Sequence, residues 1–117
     1  PNIYKEADAY ITMTFQDNCP SAVLEAMSCG LPILYSCSGG IPELVDSNSG
    51  IGLQVPENWV ETKIPNSSDI KDGMLRIIDK RDQMAKAARS RAIELFDIKD
   101  WIKKHYSVIE KIIDLKY

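Results

Sequence analysis

Three short apolar segments alternate with helix-forming sequence in the first half of the chain, and this alternation is the strongest constraint on its fold. The segments are rich in β-branched and aromatic residues, and they span residues 9–15, 31–36 and 51–55. Between them, Pro20 suits the first position of a helix over 21–29, Gly30 suits its end, and 41–45 fits a short helix. Strands and helices at this close spacing predict a parallel sheet with right-handed crossovers.

The second half of the chain changes character. A loop over 57–68 is rich in Pro, Asn and Ser, and helices are predicted over 69–80, 81–96 and 101–115. The apolar residues of the last segment fall near helical spacing (Trp101, Ile102, Ile109, Ile112 and Ile113). This pattern favours a helix that packs on the core over one that lies on a membrane surface, because acidic residues interrupt its basic face.

The number of predicted strands bounds the architecture. A doubly wound domain usually has about six strands in two halves, so three strands predict only one half. We therefore expect a sheet part over 1–56, a helical tail over 69–117, and an unpaired edge on the first strand. Because the chain begins with Pro, we also expect it to be part of a longer protein.

The charges are unevenly placed. The chain has 14 basic and 17 acidic residues, for a net charge of −3, which argues against a nucleic-acid binder. No Lys or Arg occurs from residue 6 to residue 62. An anionic ligand on this stretch must therefore be held by backbone dipoles, or by charges from elsewhere.

The cysteines indicate the setting of the protein. There are three, with no Cys-x-x-Cys pair and no nearby His, so neither a closed disulfide framework nor a metal site is predicted. The sequence also has no long apolar run. Together these features favour a reducing, cytoplasmic location.

The junction between the first strand and the next helix is the predicted ligand site. In a parallel sheet it lies at the carboxyl ends of the strands, where ligands bind. The start of the helix is predicted to present free N–H groups from Ser21, Ala22 and Val23, together with the positive end of the helix dipole. Such a site can bind an anion without any cation.

Glu25 is predicted to lie on the exposed side of this helix. Val23, Leu24 and Met27 form an apolar stripe at helical spacing, whereas Glu25 and Ser21 fall on the opposite face. Glu25 could accept hydrogen bonds from a diol such as a ribose, or it could be an ordinary solvated residue.

Further polar and small residues flank the junction. Asp17 and Asn18 suit a ligand site, but they are also good capping and turn residues. Gly39 and Gly40 could form a second loop of backbone donors, or only a tight turn. His105 has no predicted catalytic role.

Taken whole, residues 17–43 resemble the donor-nucleotide half of retaining glycosyltransferases of the GT-B fold, specifically glycosyltransferase family 4. The resemblance rests on an acidic residue, Asp17, followed after seven residues by Glu25, then by Ala-Met-Ser-Cys-Gly-Leu-Pro over 26–32 and Gly-Gly-Ile-Pro-Glu over 39–43. It implies a three-layer α/β fold, the second half of a Rossmann-like GT-B C-terminal domain with C-terminal helices.

The resemblance also implies roles for single residues. Glu25 binds the ribose of a nucleotide-sugar donor, and Asp17, the candidate catalytic residue, lies near the transferred sugar. The remaining donor-binding residues are Asn18, Ser21, Ala22, Val23, Gly39 and Gly40. Two departures stand out: Asp17 replaces the commoner Glu, and Asn18-Cys19-Pro20 replaces the usual Gly-Phe-Gly.

The implied function is transfer of a hexose, with retention, from a nucleoside-diphosphate sugar to a glycan or lipid-linked acceptor, as in polysaccharide biosynthesis. No cofactor is expected, since the donor is a substrate. No metal is expected either, because the residues offer no hard-cation cluster and the helix terminus can replace it. The acceptor-binding domain and the basic residues that neutralise the diphosphate are expected upstream, so this part alone should be inactive. The parent protein could contact a membrane peripherally.

Two alternatives from other classes stay open. The first is a non-catalytic nucleotide-binding or assembly module, which the unpaired strand edge would suit by pairing with another chain. The second is part of a nucleotide-sugar epimerase on a similar architecture.

Overall fold

The computed structural model describes residues 2–115 and has mixed α/β architecture. The helices and strands, in chain order, are α1 (Asn2–Lys5), β1 (Tyr10–Thr12), α2 (Ser21–Ser28), β2 (Ile33–Ser36), α3 (Ile41–Leu44), β3 (Gly50–Leu53), α4 (Ser67–Leu95) and α5 (Ile98–Asp114). The strands form one parallel sheet in the order β1-β2-β3. The predicted fold class is therefore confirmed.

The strands are shorter than their apolar segments. The first is only three residues long, and four residues beyond its end Gln16 adopts a left-handed backbone with φ 57°. The central strand β2 is buried along its whole length. Its side chains alternate between two cores, as expected for a strand covered on both faces.

The two cores lie on opposite faces of the sheet. One joins Ile33 and Tyr35 of β2 to the buried face of α2 and to α3. The other joins Leu34 of β2 to Ile51 and Leu53 of β3 and to α4. Helices therefore cover the sheet on both sides, which gives the expected three layers.

Helix α4 replaces two predicted helices. The boundary expected at residue 80 is a kink, where Lys80 has non-helical angles of φ −115° and ψ 15°. Ile77 before the kink belongs to the core around Leu34, whereas Ala88 and Ala92 after it belong to the core around α2. The kinked helix thus contributes to both cores.

The prediction that the last helix packs on the core is wrong. Helix α5 begins at Ile98, three residues earlier than expected, because the Asp97 side chain accepts a hydrogen bond from the N–H of Lys99 at 2.7 Å. None of its residues is buried, and Trp101 and Ile109 are each 55% exposed. The physical reason is that α2, α3 and α4 already cover both faces of β2, so the central strand has no free surface for α5. Within residues 2–115, no helix is long and apolar enough to cross a membrane.

Candidate functional site

Two loops meet at the carboxyl end of the sheet, one after β1 and one after β2. The backbone N–H of Gln16 donates to Ser38 Oγ at 2.8 Å, and Ser36 Oγ donates to the Thr14 carbonyl at 2.6 Å. The N–H of Gly40 donates to the carbonyl of Asp17 at 2.9 Å. The structure therefore brings together the two predicted loop segments, 17–18 and 39–40, as their shared edge of the sheet requires.

Gly39 and Gly40 allow these loops to touch. A Cβ on Gly40 would lie 1.8 Å from the carbonyl oxygen of Asn18, and one on Gly39 would lie 2.4 Å from that of Asp17. Gly39 also has a positive φ of 64°, which side-chain-bearing residues rarely adopt. Since the Gly40 N–H is bonded to Asp17, it is not available to a ligand in this conformation. The two glycines therefore let the loops pack closely together. This role differs from the predicted loop in which both N–H groups donate to a ligand.

Helix α2 begins beside this junction without a side-chain cap. Pro20 is its N-cap residue and makes no side-chain hydrogen bond to the helix. The alternative role of Asp17 and Asn18 as caps of this helix is therefore not observed. The expected donor set is also smaller, because the N–H of Val23 bonds to the Pro20 carbonyl at 3.0 Å within the first turn. The N–H groups of Ser21 and Ala22 are left as the candidate anion donors.

Glu25 lies on the exposed side of α2, as its spacing predicts. Val23, Ala26 and Met27 are fully buried on the other side. The hydroxyl of Tyr4 in α1 donates to Glu25 Oε2 at 3.2 Å. Desolvation, followed by the hydrogen bond to Glu25 and its charge, raises the pKa of Tyr4, so this hydroxyl keeps its proton.

Tyr4 was missed by sequence reasoning, because nothing in the residues near it connects it to a position 21 residues away. Both side chains border a shallow cavity of about 400 Å³ along α2. The cavity is lined by Tyr4, Ser21, Leu24, Glu25, Ser28 and Cys29. Its lining can receive a diol at Glu25 next to an anion at the start of the helix.

A cation contacts the last turn of α2. Arg89 of α4 donates to the carbonyl of Ser28, in the last turn of the helix. This pairing suits the negative end of the helix dipole. That the start of α2 binds an anion through its backbone groups stays a prediction of the lysine- and arginine-free stretch.

A larger cavity, of about 530 Å³, opens among the loops that follow the three strands. Gln16 and Asn18, on either side of Asp17, line it together with Ser38 and Gly39. Trp59 lines the same cavity from the loop beyond β3. The sequence placed Trp59 in a loop but carried no signal that the loop returns to this end of the sheet.

Known proteins match the chain by sequence family and by fold. Residues 1–94 match the family model described as glycosyl transferases group 1. Sucrose-phosphate synthase from Thermosynechococcus elongatus has a similar structure, with a TM-score of 0.80 and 20% identity, and the match covers 97% of this chain and 27% of that one. Anabaena HepE, solved in complex with UDP, gives a TM-score of 0.75 and 19% identity, covering 93% of this chain and 29% of that one.

These structures share the fold at low identity, and the chain spans less than a third of either protein. Among curated proteins, none is close enough in sequence to count as a match.

Proposed function

The chain belongs to the group 1 glycosyltransferases, and on that premise we propose that it forms the nucleotide-sugar-binding part of a sugar-transferring enzyme. The observation that carries the proposal is the uncapped start of α2 beside the exposed carboxylate of Glu25, at the carboxyl end of the sheet. An anion donor and a diol acceptor on one short helix match a ribose linked to a diphosphate. HepE, which has a similar fold, was solved with UDP.

In this proposal each residue has a separate task. The N–H groups of Ser21 and Ala22 donate to the diphosphate, and Glu25 accepts from the ribose hydroxyls. Tyr4 holds the Glu25 carboxylate in place through the 3.2 Å hydrogen bond. Asp17 stands near the transferred sugar, where a carboxylate stabilises positive charge that develops at the reacting carbon.

Leaving-group departure needs more positive charge than the helix amides supply. A helix terminus carries roughly half an elementary charge, whereas a diphosphate develops more on bond cleavage. The cation-free stretch 6–62 does not supply the rest. We therefore propose that the remaining charge and the acceptor site come from other parts of the complete enzyme, and that this chain alone is inactive.

The finer features of the reaction are part of the same proposal. They are transfer of a hexose, retention at the anomeric carbon, and a glycan or lipid-linked acceptor in the cytoplasm. Proton NMR of the first-formed product of the complete enzyme tests retention directly. An anomeric configuration opposite to that of the donor would contradict it.

Nucleotide binding can be tested on the chain itself. In titrations of the ¹⁵N-labelled chain with UDP, GDP and ADP, we expect at least one nucleotide to shift the amide signals of residues 21–25. Glu25→Gln should weaken the binding of that nucleotide by about tenfold, because it removes a charged hydrogen-bond acceptor. Tyr4→Phe should weaken nucleotide binding less, since the Glu25 carboxylate remains.

Glu94→Gln is the matched control, because Glu94 is an exposed glutamate on α4 outside the proposed site. It should leave the affinity unchanged. If no nucleotide shifts residues 21–25 at millimolar concentration, the proposed donor site is wrong.

A non-catalytic assembly module is the second candidate. The observations that favour it are the outer edge of β1, which has no strand beside it in the described part of the chain, and the exposed apolar side chains of α5. An assembly module would self-associate but would not bind a nucleotide.

A further inference from the structure

A cavity of about 300 Å³ opens at the outer edge of β3, between that strand and α4. The polar residues that line it include Tyr35, Ser47, Gly52, Gln54, Arg76 and Lys80. No carboxylate belongs to its lining, so the two cations of α4 have no opposite charge within the cavity. This composition favours an anionic ligand.

The two cations lie on the same face of α4, because Arg76 and Lys80 are four residues apart. Like charges at this spacing repel each other and destabilise a helix. Neither cation forms an ion pair with a carboxylate among residues 2–115, although Asp72 and Asp79 belong to the same helix. An anion bound between the two side chains would offset this repulsion.

The acidic groups next to the cavity do not cancel its positive charge. Burial, followed by the neighbouring Cys37, raises the pKa of Tyr35 to about 12, and the Tyr35 hydroxyl donates to the carbonyl of Val45 at 3.3 Å. Burial likewise raises the pKa of the Cys37 thiol, so both groups are neutral at neutral pH. The charge of Asp46 is offset by Arg91, since Asp46 Oδ2 lies 3.5 Å from Arg91 Nη1.

The edge of the sheet adds a backbone donor to this cavity. The N–H groups of Ile33 and Cys37 donate to the carbonyls of Ser49 and Leu53, so these two carbonyls face β2. Backbone groups alternate between the two sides of a strand, and those of Gly52 therefore point away from β2. No strand lies beyond β3 in the described part of the chain, which leaves the N–H of Gly52 open to a ligand.

Gly52 also keeps this edge free of side-chain atoms. A Cβ on Gly52 would lie 2.4 Å from Cys37 Sγ and 2.9 Å from the hydroxyl oxygen of Tyr35. The missing side chain thus lets these two groups approach β3, and it lets a ligand reach the backbone at the strand edge.

We propose that this cavity binds a small phosphate monoester, whose phosphate is held by Arg76, Lys80 and the N–H of Gly52. The guanidinium donates two parallel hydrogen bonds to phosphate oxygens, and the ammonium adds a point charge. Outward N–H groups at a sheet edge complete an anion-binding concavity. A volume of about 300 Å³ is small for a ligand site, so it suits a compact ester.

This site goes beyond the proposed function, because it takes a second ligand at a second place. The proposed nucleotide site lies at the start of α2, which follows β1, whereas the cavity lies at β3 on the other side of the central strand.

The test titrates the ¹⁵N-labelled chain with glycerol phosphate and inorganic phosphate, with glycerol and sodium chloride at matched ionic strength as controls. We expect glycerol phosphate to give saturable shifts of the amide signals of Gly52, Gln54 and residues 76–80. Inorganic phosphate should give the same shifts more weakly, since it lacks the organic part that fills the rest of the cavity. Equal or tighter binding of inorganic phosphate would overturn the assignment to an ester, and equal shifts with sodium chloride would overturn the site.

Substitutions separate a phosphate site from a general effect of charge. Arg76→Gln and Lys80→Gln should each weaken glycerol phosphate binding by about tenfold, because each removes a charge-assisted hydrogen bond. Lys71→Gln is the matched control, since Lys71 is an exposed cation of α4 that does not line the cavity, and it should leave the affinity unchanged. An equal loss in Lys71→Gln would overturn the site. Unchanged amide signals of Ile33 and Ala88, which are buried in the core, show that the variants fold.

The outcomes also separate this inference from the proposed function. If glycerol phosphate shifts residues 50–54 and no nucleotide shifts 21–25, the phosphate site is supported and the nucleotide site is wrong. If nucleotides shift 21–25 and neither phosphate shifts 50–54 at millimolar concentration, the phosphate site is overturned and the nucleotide site stands. If phosphate shifts only residues 21–25, the cavity at β3 is likewise overturned.

Discussion

At the scale of single residues, the Gly39-Gly40 pair shows how one sequence feature can have several explanations until its neighbours are known. The dipeptide is compatible with a donor loop or a tight turn, and both depend only on its own backbone. In the structure the deciding factor is the carbonyl of Asn18, which lies where a Cβ on Gly40 would be. Gly40 itself has an ordinary φ of −91°, so its constraint is purely steric.

This steric constraint predicts the effect of Gly40→Ala. The new Cβ would overlap backbone, so the 17–18 loop must move and the free energy of unfolding should fall by about 3 kcal/mol. Gly30→Ala is the control. Gly30 has a φ of +75°, but a Cβ on it would lie 3.6 Å from its nearest neighbour, the carbonyl oxygen of Ala85. Gly30→Ala should lower the free energy of unfolding by about 1 kcal/mol, from backbone strain alone.

Urea denaturation and the amide shifts of Asp17 and Asn18 measure both effects. Only Gly40→Ala should move the two amide signals. Equal behaviour of the two variants would contradict the close-packing role of Gly40.

At the scale of elements, helices α4 and α5 differ in their surroundings, although α5 has the more pronounced apolar face. The region of α4 was predicted to form two helices and the region of α5 one, and both regions are helical. Helix α4 buries Ile77, Met84, Ala88 and Ala92 against the two cores, whereas α5 buries nothing. Periodicity reveals that a helix has an apolar face, but it does not reveal whether a surface is left for that face to cover.

The same substitution in the two helices should therefore have different effects. Ile77 is 3% exposed and Ile109 is 55% exposed. We expect Ile77→Ala to lower the free energy of unfolding by about 3 kcal/mol, because it leaves a cavity in the core. Ile109→Ala should change it by less than about 0.5 kcal/mol.

Chemical denaturation at low protein concentration measures these differences without contributions from association. A loss at Ile109 comparable to that at Ile77 would show that α5 packs against the body of the protein.

At the scale of the whole molecule, the sheet is open at β1. The strand order places β2 on one side of β1, and no strand among the described residues lies on the other. Ile11 in the middle of β1 is 43% exposed. Unpaired edges of this kind pair with other chains unless charge or proline prevents it.

We accordingly predict that the isolated chain self-associates through this edge. Sedimentation velocity should show dimers that increase with concentration, and Ile11→Lys should shift the chain to monomer. Ile78→Lys, at another exposed isoleucine, should not.

Ile109→Lys separates the edge from the apolar side chains of α5. If Ile109→Lys abolishes association while Ile11→Lys does not, the edge prediction is wrong. A wild-type chain that stays monomeric at high concentration would contradict self-association altogether.

The sequence alone determined the parallel α/β fold, the position of the junction between the first strand and α2, and the exposed side of Glu25. These depend on interactions between residues close along the chain: helical and strand periodicity, Pro20 at a helix start, and the absence of cations. Only the tertiary structure decided that Tyr4 donates to Glu25, that the Gly40 N–H is occupied, that Trp59 borders the cavity at the end of the sheet and that α5 lies outside the core. The first three depend on contacts between segments far apart in sequence, and the last depends on whether a free surface is left for α5. Local sequence patterns predict neither of these.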